Sequence, residues 1–147
     1  MGIKINNYFC LIAGILAILF AFTHAWNGHS VVLPTLFVDD VALGTRIIFS
    51  YVWHIITAEN LLFGIVFMIL SFQSERSKVR FAAWMIVSFL LIRLLVILSV
   101  TAFYDVSSLT DTLMDSIAIL IYSAFIIWGV RKKKDHRAPS AIAVRKA

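Results

Sequence analysis

The sequence predicts an all-α integral membrane protein, a bundle of four transmembrane helices with both termini cytoplasmic. Three observations predict it. Of 147 residues, 61% are hydrophobic and only 14% charged, with a mean hydropathy of +0.94. A soluble unit of this size leaves too much of its chain in water to hide that much apolar surface, so lipid must be the solvent for most of it. The apolar residues gather in four runs, each near the roughly 20 residues that a helix needs to cross hydrocarbon. Lysine and arginine, finally, fall on one set of connections and avoid the other.

The first run is about 8–26, YFCLIAGILAILFAFTHAW. Its Ala13, Ala17, Ala21 and Ala25 recur every four residues, the small-residue stripe of closely packed membrane helices. Lys4, the apolar run and "THA" also fit a secretory signal, in which case His24 would be removed with it. The length of the run favours a span. The connection 27–45, NGHSVVLPTLFVDDVALGT, is too apolar for a free loop. It is expected to be a short amphipathic or re-entrant piece, or a loop packed on the bundle mouth, punctuated by Pro34 and Gly44.

The other runs are about 46–72, 81–103 and 112–130. With no water to satisfy backbone groups in hydrocarbon, each must be a helix. They make one transmembrane domain, 1–134, followed by a basic tail, 135–147, expected to be disordered in the cytoplasm and drawn to anionic lipid heads.

Orientation follows from charge. Lys4 precedes the first run, Arg76, Lys78 and Arg80 fill the second connection, and "RKKKDHRAPSAIAVRKA" carries seven more basic residues. The first and third connections hold only Arg46, beside Asp39, Asp40, Asp105 and Asp111. Basic connections stay inside, so both termini are expected in the cytoplasm, in a plasma or bacterial inner membrane. Trp26, Tyr51, Trp53, Trp84, Tyr104 and Trp128 lie near segment ends, as interfacial aromatics do.

Several function classes are disfavoured. The single cysteine, Cys10, excludes an intramolecular disulfide, a CxxC pair and a multi-cysteine zinc site. The net charge of +5 flanks apolar segments instead of lining a polar face, so no nucleic-acid partner is expected. There is no HExxH, no nucleophile motif and no glycine-rich phosphate loop, which argues against an enzyme.

Polar residues inside the runs carry the remaining information, because they are costly in lipid and face protein or water. Glu59 lies roughly 20 Å along its helix from Arg46, and Arg93 roughly 17 Å from Tyr104 at 1.5 Å per residue. Matching mid-depths on segments joined by a short connection point to an intramembrane ion pair. His24, His54 and Asp115 lie nearer the outside, at depths agreeing within about 7 Å. His24 borders the alanine stripe. His54 shares a side with Ser50, Trp53, Thr57, Gly64 and Ser71, while Glu59 sits about 140° round the same helix.

His24, His54 and Asp115 are therefore expected to line an outward-facing polar pocket for a small polar ligand, ion or proton, with Thr57 and Asn60 deeper. Two histidines with a carboxylate are also candidate ligands of a transition metal, and two facing histidines of a haem. A further reading has the same residues only pack, in a structural or accessory membrane subunit. Transport through only four helices would call for a homodimer or a larger complex. The topology is that of many small bacterial inner-membrane proteins, which speaks to architecture and not to activity.

Overall fold

The computed structural model describes residues 4–38 and 41–131, so the tail expected over 135–147 lies outside the described residues. All regular structure there is helical: α1 (Tyr8–Asn27), α2 (Leu33–Val38), α3 (Leu43–Phe72), α4 (Arg76–Tyr104) and α5 (Leu113–Val130). Four helices are long and apolar enough to cross a membrane, the first being the continuous run Tyr8–Val38.

That continuity departs from the separate piece expected over 27–45. A π-helical turn, Gly28–Val32, links α1 to α2 without a break, closed by the Leu33 N–H donating to the Gly28 carbonyl. Pro34 supplies the physical reason. Its ring has no N–H and crowds the carbonyl four residues back, and a widened turn relieves that crowding while the helix continues. The hydroxyls of Ser30 and Thr35 donate to the Trp26 and Val32 carbonyls on either side. Arg46 lies 5.3 Å over the Phe37 ring and so ties α2 to the start of α3.

The other boundaries have local causes as well. Asn7 caps α1, its side chain accepting from the Cys10 N–H at 3.2 Å. α4 begins a turn earlier than the apolar run at 81, because Arg76, Lys78 and Arg80 are themselves good helix formers. Glu75 precedes it, paired with Lys78 at 2.6 Å and accepting from Ser77, and these partners hold its carboxyl below the usual range. At the other end of α4, Asp105 accepts from the side chains of Ser107 and Ser108 and from the Ser107 N–H, which lowers its pKa and starts the 3-10 turn Val106–Thr110.

Residues 4–7, the 73–75 connection and Arg131 share one end, the terminal end; residues 28–38, 41–42 and 105–112 form the far end. At the terminal end the Asn6 and Asn7 N–H groups both donate to the Ser71 carbonyl, at 2.8 and 3.0 Å. The Asn6 side chain donates to Phe72, so the chain start satisfies the last carbonyls of α3.

α1 packs most extensively on α3, α4 packs on α5, and α1 also meets α5, whereas α3 and α4 barely touch. Gly14 and Gly64 allow the closest approach: a Cβ on either would come within 3.0 Å of the other's carbonyl oxygen. Ala13, Ala17 and Ala21 are buried along the same helix, as the stripe implies.

The core is lopsided. Its buried cluster is Cys10, Ala13 and Ala17 of α1, Phe67 of α3, Val79 to Leu90 of α4, and Tyr122, Ile126 and Val130 of α5. All of these lie in the terminal half. Residues 43–63 of α3, those of α4 beyond Leu94, and those of α5 before Tyr122 include no buried side chain. The far half is splayed.

Candidate functional site

The polar residues sit where the packed half gives way to the splayed one. α3 and α4 meet at the Phe63–Phe89 ring pair, 5.4 Å between centroids. One turn further toward the far end, Arg93 bridges the seam. Its Nη2 donates to Asn60 Oδ1 at 3.3 Å, and its Nη1 lies 3.7 Å from Glu59 Oε2. The second distance makes an ion pair but is too long for a hydrogen bond. Arg93 Nη1 is buried and has no hydrogen-bond partner. The two side chains are 17% and 29% exposed, so neither is fully withdrawn from its surroundings. The half-turn between the faces of His54 and Glu59 directs only Glu59 and Asn60 to this bridge.

His24 occupies the end of α1, half-buried, with its ring flat on Trp53 at 4.2 Å and 6° between planes. The Trp53 indole N–H donates to the His24 carbonyl at 3.0 Å, so one tryptophan holds both the backbone and the ring of the histidine. Gly28 makes room for this, since a Cβ there would run into the Trp53 indole. His24 Nε2 is buried with no hydrogen-bond partner. Thr57 is half-buried one turn below Trp53, donating to its carbonyl at 3.4 Å.

His54 and Asp115 are exposed on the surface of the splayed half and are not enclosed with His24. Both nevertheless lie within electrostatic reach of His24, as does Arg93, and Arg93 in turn feels Glu59 and Asp115. Two clefts lie elsewhere, at the terminal end beside Lys78 and in an apolar groove between α1 and α5 beside Tyr122.

Comparison with protein-family models, curated proteins and solved structures gives no match for this chain. The site must therefore be read from its own chemistry.

The three-ligand metal reading of His24, His54 and Asp115 does not fit that chemistry. Among the described residues no three His, Cys, Asp or Glu side chains come together as a ligand set. The physical reason is the splay of the far half, which leaves His54 and Asp115 on the surface. A metal site needs its ligands within about 2 to 2.3 Å of one ion.

Two residues that hold the site are not among its sequence candidates. Trp53 reads as an interfacial aromatic and also shares the polar side of its segment, and it turns inward to His24. Its adjacency to His54 on the polar side of the segment is the signal that marks it. Tyr122 reads as one more apolar residue, yet it is buried and donates to the Ala13 carbonyl at 2.8 Å, pinning α5 to α1 below the site.

Proposed function

We propose that this is a multi-pass membrane protein, with its terminal end in the cytoplasm, that holds a small polar ligand, ion or proton in its outward half. The positive-inside asymmetry supports the orientation. The site would be floored by Arg93, Glu59 and Asn60, walled by His24 and Thr57, and entered past His54 and Asp115. A single observation carries the reading. Arg93 Nη1 and His24 Nε2 are both buried without a hydrogen-bond partner, at the level where packing stops. Leaving such a group unsatisfied costs about 1–3 kcal/mol, and more when it is charged. An occupant that met these atoms would offset that cost.

The competing reading is a structural or accessory subunit, in which a partner helix covers the splayed half and these residues only pack. Solvent access separates the two. Thr57→Cys and Asn60→Cys, each in a Cys10→Ser background, are expected to react with a membrane-impermeant thiol reagent added outside intact cells. A homodimer that encloses the crevice leaves its outer mouth open and gives the same labelling. Failure of both cysteines to react, in folded protein, would remove the site and leave the accessory role.

A further inference from the structure

We propose that the occupant is a single proton, admitted from the far end past Asp115 and His54 and held on His24 against the face of Trp53. This rests on the outward polar site proposed above and names what it takes.

Space and ligand geometry select the proton. A small organic ligand needs a concavity lined by the convergent polar groups, and neither the cleft beside Lys78 nor the groove beside Tyr122 includes His24, His54, Glu59, Arg93 or Asp115. A metal ion needs three or more ligating side chains around one point, and the described residues have no such group. A proton needs neither. It needs a titratable atom, a favourable charge balance and a route, and each is present.

The atom is His24 Nε2, buried and without a hydrogen-bond partner, on the one side chain type that titrates near neutral pH without perturbation. The charge balance is set by the second imidazole His54 on α3, the Arg93 cation on α4 and the carboxylate Asp115 on α5, which lie within electrostatic reach of His24, and by Glu59, which faces Arg93 at 3.7 Å. With both imidazoles neutral, two carboxylates face one cation, leaving one negative charge in excess. One proton neutralises the set, which matters where the dielectric is low.

Trp53 completes the site. An imidazole stacked at 4.2 Å and 6° on an indole becomes a cation over a π face once it is protonated. The route opens at one end only. Toward the far end His54 and Asp115 are exposed, whereas toward the terminal end the buried cluster is apolar apart from Cys10 and Tyr122, and the Tyr122 hydroxyl is committed to the Ala13 carbonyl.

The stacked tryptophan supplies the readout, because an imidazolium in van der Waals contact quenches indole emission. Trp26, Trp84 and Trp128 are 76%, 48% and 67% exposed, so changing each to Phe leaves Trp53 as the sole indole, excited selectively over tyrosine, at little structural cost. In proteoliposomes oriented by capture of the terminal tail, acid on the far-end face should lower Trp53 emission along a one-proton curve. Acid confined to the terminal face should leave emission unchanged. His24→Gln should abolish the response, and His24→Phe should do so while keeping an aromatic stack.

Emission that stays flat with His24 intact overturns the proposal, whether or not the variants fold. So does a response that survives both variants or answers to the terminal face. Should the cysteines at 57 and 60 react while Trp53 stays silent, the outward site stands and the proton falls. Should neither cysteine react, the site itself falls.

Discussion

Arg93 shows how one side chain can be both paired and under-satisfied. It donates to Asn60 at 3.3 Å and faces Glu59 at 3.7 Å, and its Nη1 still has no hydrogen-bond acceptor. Removing one member of a fully buried pair costs roughly 3–5 kcal/mol, because the other charge is left uncompensated. Here the partners are 17% and 29% exposed, so a smaller loss, on the order of 1–3 kcal/mol, is expected for Glu59→Ala or Arg93→Ala. The double variant should be less destabilised than the sum of the singles, and close to the milder one. Denaturant unfolding of the purified protein measures all three, and additive losses would mean that the 3.7 Å approach contributes no coupling. The mid-depth approach of Glu59 and Arg93 is legible in the sequence, since helical rise converts position to depth. The share taken by Asn60 is not, because neighbours on one helix turn cannot be ranked without the geometry of the facing helix.

At the scale of elements, the four apolar runs are readable because a bilayer demands internally satisfied backbone over a fixed length. Their ends are less so. Arg76, Lys78 and Arg80 look like a loop by polarity but extend α4 by propensity. Pro34 looks like a break but is absorbed by the π turn Gly28–Val32. The α1–α3 pair is the tightest joint in the fold, and its glycines separate packing from propensity. A Cβ at Gly64 would meet Ile18 Cγ1 at 2.5 Å, the Gly14 carbonyl oxygen at 3.0 Å and the Ile18 nitrogen at 3.1 Å. Two of these are backbone atoms that can yield only if α1 shifts. Gly64→Ala is therefore expected to cost about 1–3 kcal/mol through overpacking, despite the better helix propensity of alanine. At Gly44, in the first turn of α3, a Cβ would meet nothing within 4 Å. Gly44→Ala should be neutral or stabilising by up to roughly 1 kcal/mol. Thermal unfolding of both variants tests the contrast, and equal shifts would show that close approach does not hold the pair together.

The molecule as a whole is two halves of different character. The terminal half has a continuous apolar core, closed at its end where Asn6 and Asn7 bind the Ser71 and Phe72 carbonyls. The far half has no buried side chain on α3 or α5, and it exposes Trp26, Phe37, Ile47, Ile48, Phe103 and Tyr104 together with His54 and Asp115. That division is invisible to composition, because all four runs are about equally apolar; only helix–helix distances reveal it. Its meaning depends on which half faces which compartment. The basic residues Lys4, Arg76, Lys78, Arg80 and Arg131 gather at the terminal end, and the far end carries Asp105 and Asp111 with Arg46 as its basic residue among the described residues. The translocation bias against lysine and arginine predicts that the closed half faces the cytoplasm and the splayed half faces outward. Fusion of a compartment-sensitive reporter after position 40 should give the external signal, and fusion after position 134 the cytoplasmic one. The reverse result would turn the splayed half, and every polar group in it, toward the cytoplasm. The same signal from both fusions would mean an odd number of crossings between 40 and 134 has become an even one, as when one of the runs lies outside the bilayer.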